Sequence, residues 1–74
     1  MAKDVYLSLL HKRLGKNIRK YRLLNKYTQA RLAEKAELDV TYLSAIEHGK
    51  RNITVNLLEK IAYALDIEPS LLLK

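Results

Sequence analysis

Thr41 and Ser44, flanked by Val40 and Ala45, are the side chains whose type and spacing suit contact with a partner. In a helix running from Val40 to His48, residues three and four apart share a face. These four then point one way, while Leu43 and Ile46 point the other. Two hydroxyls and two small apolar groups on one thin helix can meet the donors, acceptors and methyl groups on base-pair edges in a major groove. Catalytic chemistry has no comparable constellation. His11 and His48 lack companions at ligand spacing, so no zinc site is expected. Ser8 and His11 share a helix face, but no third group orients them as a hydrolase would need. The chain reads as a non-enzyme without cofactor or metal.

The elements that must position this face follow from helical apolar spacing along almost the whole chain. Leu7, Leu10, Leu14, Ile18 and Tyr21 form one stripe on a first helix from Val5 to Leu24, and this stripe is expected to serve the core. Gly15 lies inside that helix at a cost of up to about 1 kcal/mol against alanine, and marks a close helix crossing. Thr28 caps a second helix from Gln29 to Ala36, in which Ala30, Leu32, Ala33 and Ala36 give a small-residue face. Asp39 caps the third helix and Gly49 ends it. Thr54 caps a fourth from Val55 to Leu65, with Leu57, Leu58, Ile61, Ala62 and Leu65 inward. Pro69 opens a short fifth helix that ends in Leu71-Leu72-Leu73. The expected fold is all-α, a compact five-helix single domain over residues 1–74. Of the five tyrosines, Tyr42 is the one expected to be exposed.

Two short helices joined by the three-residue turn Glu37-Leu38-Asp39, with Ala33 where they cross, form a helix-turn-helix arrangement. Its second helix presents N-terminal residues to base edges. Charge agrees with a polyanionic partner. The net charge of +6 is concentrated in residues 1–26, which hold eight lysines and arginines against the single acid Asp4. No secretory signal and no membrane-length apolar run is visible, so a cytoplasmic location is expected. With 74 residues and no cysteine, packing alone must hold the fold, with help from a second copy.

The run Thr28-Gln29-Ala30-Arg31-Leu32-Ala33-Glu34-Lys35-Ala36, followed by Leu38 through Thr54, resembles the lambda-repressor-like (Cro/C1, XRE) helix-turn-helix family. The pattern Leu-Asp-x-Thr-Tyr-Leu-Ser-x-Ile-Glu, then Arg-Asn-Ile-Thr, is similar to controller proteins of bacterial restriction–modification systems. The resemblance implies a transcriptional regulator that binds double-stranded DNA. Thr28 and Gln29 would grip a phosphate at the start of the second helix, in keeping with anion binding there. Asp39, Val40, Thr41, Ser44 and Ala45 would be the outward positions of the recognition helix, although Asp39's own chemistry favours capping. Tyr42, Arg51 and Asn52 would touch the backbone or groove edge. Arg22 and Glu47 would form a buried ion pair. Val40 stands where many controller proteins carry arginine, which biases readout towards A·T through thymine methyl contact. Glu37 and Lys26 stand where the family often has glycine, and a left-handed conformation there costs on the order of 1 kcal/mol.

One recognition helix reads few base pairs, so a homodimer on a pseudo-palindromic operator is expected. Ile53, Val55, Ile67, Leu71 and Leu72 are the candidate interface, with Leu73 beside them. The same C-terminal cluster has a second reading, as the base of a small core. RNA polymerase is a further candidate partner, through Glu34, Glu47 or Glu59. No membrane and no small-molecule ligand are expected. The alternative function is an antitoxin that also masks a toxin. A basic membrane-surface or RNA-binding module is disfavoured, because the apolar stripe of the first helix is assigned to the core and no aromatic stacking platform is visible.

Overall fold

The computed structural model describes residues 2–74, with side chains from Val5 onward. Its elements are α1 (Ala2–Leu24), α2 (Gln29–Lys35), α3 (Val40–Glu47), α4 (Val55–Leu65) and a 3-10 helix (Pro69–Leu73). The described residues are therefore all-helical with four α-helices. The expected fifth helix is a 3-10 turn, held by the Leu71 N–H on the Glu68 carbonyl at 3.0 Å. Five residues behind a proline are too few for an α-helix, and short segments tighten to i→i+3 bonding.

Local chemistry sets the helix boundaries. Thr28, Asp39 and Thr54 each cap the following helix with a side-chain oxygen that accepts a backbone N–H two or three residues on. The four α-helices all stop in the same way. Lys26, Glu37, Gly49 and Asp66 adopt φ of +60, +57, +73 and +59°. In each case the next N–H returns to a carbonyl five residues back: Tyr27 to Arg22, Leu38 to Ala33, Lys50 to Ala45 and Ile67 to Ala62. This is the Schellman ending, which favours glycine, yet three of the four positions carry larger side chains. The strain expected at Lys26 and Glu37 is present, and Asp66 adds a third such residue.

α1 packs against α3, α4 and the 3-10 helix, while α2 packs against α3 and α4. The core holds Leu14, Ile18, Leu32, Ala33, Ala36, Leu43, Ile46, Leu58, Ile61, Ala62, Leu65 and Leu72. At Gly15 a Cβ would lie 2.5 Å from the carbonyl oxygens of both Ile46 and Glu47, so α1 touches the end of α3 backbone to backbone.

Four sequence expectations need correction. Leu7 and Leu10 are 50% and 52% exposed, so the α1 stripe enters the core only from Leu14 onward. Leu7 and Leu10 instead line a surface groove with Ile53 and Leu73. Ala30 is exposed, because the crossing uses the opposite side of α2. Tyr42 is half-buried, and Tyr6 and Tyr63 are the exposed tyrosines. Leu72 is fully buried, fixed from above by the Asn17 side-chain amide, which donates to its carbonyl at 2.8 Å.

Candidate nucleic-acid interface

α3 is one-sided. Leu43 and Ile46 are buried, and Ala33 is buried in the same core. Val40, Thr41, Ser44 and Ala45 line a surface groove together with Gln29 from the start of α2 and His48 and Lys50 from the end of α3. Five of the residues singled out in sequence therefore share one surface. His48 and Lys50 were not among the sequence candidates for contact. A signal for His48 was present, since residues 40, 44 and 48 fall on one helical face. Its Nδ1–H donates to the Ser44 carbonyl at 2.7 Å, which fixes the ring and leaves Nε2 available.

A buried ion pair holds this surface in place. The Arg22 guanidinium donates through Nε to Glu47 Oε2 at 2.7 Å and through Nη2 to Oε1 at 3.0 Å. Its Nη1 reaches the Tyr27 carbonyl at 2.9 Å, just before α2. Glu47 Oε1 also accepts from the Gln29 amide at 3.0 Å. One charged cluster thus ties α1, the entry to α2 and the end of α3. Gln29 is oriented by a carboxylate and does not project freely. Such a pair adds little net stability over an apolar replacement, but it fixes geometry and is costly to break.

The remaining candidates divide. Tyr42, Arg51 and Asn52 line a second groove with Ser8 and His11 of α1, and Tyr42 Oη donates to the Asn52 carbonyl at 3.2 Å. Lys50 borders both grooves. Thr28 and Asp39 border neither. The Thr28 hydroxyl accepts the Arg31 N–H at 3.0 Å, and Asp39 Oδ1 accepts those of Thr41 and Tyr42 at 2.7 and 3.3 Å. Both side chains build the helices that carry the surface.

The residues proposed for self-association are also separated. Leu72 is buried inside its own chain and offers nothing to a partner. Val55 is 72% exposed. Ile53 lines an apolar groove with Leu7, Leu10 and Leu73, whereas Ile67 lies elsewhere, beside Tyr63 and Pro69. Among the described residues, no group of three His, Cys, Asp or Glu is arranged to hold a metal. No described helix is long and apolar enough to cross a membrane.

The site is thus a tightly capped pair of short helices with Val40, Thr41, Ser44 and Ala45 on one surface groove. The chain matches the helix-turn-helix family HTH_3 over residues 18–72. It is 40% identical over 60 residues to control protein C.BamHI of Bacillus amyloliquefaciens, a match spanning 80% of this chain and 74% of the relative. It is 40% identical over 53 residues to control protein C.SmaI of Serratia marcescens, spanning 72% of this chain and 63% of that one. The crystal structure of the restriction–modification controller protein C.AhdI from Aeromonas hydrophila superimposes with a TM-score of 0.82 at 35% identity, covering 84% of this chain and 94% of that one. The chain belongs to the helix-turn-helix family, and with it to DNA-binding transcription regulators, not enzymes.

Proposed function

We propose that residues 1–74 form a single DNA-binding domain acting as a homodimeric restriction–modification controller, with α2 and α3 as its helix-turn-helix. The observation that carries the reading is the groove on α3, where Val40, Thr41, Ser44 and Ala45 face outward between Gln29 and Lys50. α3 lies in the major groove with Thr41 and Ser44 towards base edges or phosphates and Val40 against a thymine methyl. Arg51, Asn52 and Tyr42 take the flanking backbone, while Thr28 and Asp39 hold the helix starts and lie close to the duplex. Two copies associate through Ile53, Val55 and Leu71, with Ile67 at the margin, and read two half-sites one helical turn apart. Glu59 is an exposed acid available to RNA polymerase, Glu34 is exposed and paired with Arg31, and Glu47 is consumed by Arg22.

Selection of bound sequences from a random duplex library at physiological salt tests this reading. A two-fold symmetric motif with A·T pairs opposite Val40 is expected. Recovery of no motif, with binding that only fades as salt rises, would overturn it. Val40→Arg should move the preference at that pair towards guanine.

A further inference from the structure

The groove on α3 does not end at α3. His48 borders it and also borders the adjoining cleft, where Lys12, Arg13, Lys16 and Asn17 of α1 face the end of α3. We propose that the first half of α1 carries a second DNA-backbone contact, with Lys12 and Lys16 taking phosphates that flank the bases read by α3. This rests on the DNA reading above and deepens it. It concerns residues ahead of position 18, where the family match begins.

The lysines are fixed in position by the backbone. Gly15 sits directly on the Ile46 and Glu47 carbonyls, and a Cβ on Gly49 would lie 2.9 Å from the Lys12 Cα. α1 therefore lies in backbone contact with the end of α3, and a duplex seated on α3 passes beside the cleft that Lys12 and Lys16 line. Their charges are also uncommitted. Among the described residues the ion pairs are Arg22–Glu47, Arg31–Glu34 and Lys60–Glu37, and none uses Lys12, Arg13 or Lys16. All three of these side chains are exposed. Glu47 borders the cleft, but Arg22 and Gln29 already answer its carboxylate. A merely solvated basic face would not need to share a rim with the groove on α3. This one does, at His48.

The test uses the full chain and a labelled duplex carrying the selected motif with several flanking base pairs. Binding is measured across a salt series for the wild type, for Lys12→Gln/Lys16→Gln, and for Lys60→Gln/Lys74→Gln as a charge-matched control. Each lost phosphate contact should lower the slope of log affinity against log salt by about one. The α1 double variant should therefore lose about two from the slope and bind about ten-fold more weakly at physiological salt, with an unchanged base preference. The control should change neither by a comparable amount. Lys12→Arg/Lys16→Arg, which keeps the charge and the packing on Gly49, should restore the slope. An unchanged slope in the glutamine variant, or an equal loss in the control, would overturn the proposal while leaving the DNA reading intact. Failure of the wild type to select any motif would remove both.

Discussion

Leu14 and Ile18 are sealed in the core, whereas Leu7 and Leu10, on the same stripe of the same helix, stay half exposed. The two halves of α1 thus share a period and differ in surroundings. From Gly15 onward the helix is pinned by carbonyl contact with α3, by Asn17 on the 3-10 helix and by Arg22 on Glu47. Before Leu14 it lies along surface grooves, with Lys12 against Gly49 and with Leu7 and Leu10 beside Ile53 and Leu73, and its leucines stay exposed. An amphipathic period reports that a helix has a face to bury. It does not say whether the same chain supplies the opposing surface.

The contrast can be broken by mutation. Arg22→Ala leaves Glu47 charged and buried, and should cost about 3–5 kcal/mol in urea unfolding. A loss under about 1 kcal/mol would show that Glu47 finds other partners. Ile18→Ala should cost about 2–5 kcal/mol. Leu7→Ala and Leu10→Ala should each cost less than about 0.5 kcal/mol at dilute concentration, as surface changes do. If these leucines instead stabilise a dimer, their effect should grow with protein concentration, which sedimentation across a dilution series would reveal.

Gly15→Ala tests the crossing itself. Helix propensity favours alanine by up to about 1 kcal/mol. The new methyl has backbone atoms 2.5 Å away, so a net loss of about 3 kcal/mol is expected in the same unfolding assay. A stabilised variant would mean that α1 and α3 part easily and that Lys12 and Lys16 are not held beside the end of α3. The expected gain in stability lies where the pinned half of α1 ends. Lys26→Gly relieves a left-handed φ of +60° and should add up to about 1 kcal/mol, with Glu37→Gly behaving alike. Thermal melting under matched conditions would detect it.

Local chemistry is legible in the sequence. Thr28, Asp39 and Thr54 cap helices because a short side chain with an acceptor oxygen can reach back only to its own first turn. The outward set Val40, Thr41, Ser44 and Ala45 follows from the period of one short helix. The strained turns at Lys26 and Glu37 and the Arg22–Glu47 pair came from the family resemblance, which nothing in the spacing of those residues would have supplied. The left-handed turn at Asp66 is not legible in the sequence, because aspartate marks ordinary turns as readily as left-handed ones.

What the sequence determined by itself were the features decided within a few residues: helix positions, caps, the two faces of α3 and the concentration of charge in residues 1–26. Tertiary structure alone decided which apolar residues found a partner surface. It buried Leu72 beneath Asn17, left Leu7 and Leu10 outside, set Tyr42 against the Asn52 carbonyl, and brought Lys50 to the groove on α3 and Lys12 and Lys16 to the cleft that adjoins it at His48. These outcomes depend on where α1 crosses α3. That crossing is fixed by a missing Cβ at Gly15 and one buried ion pair, acting across 25 to 32 residues of chain that no local pattern spans.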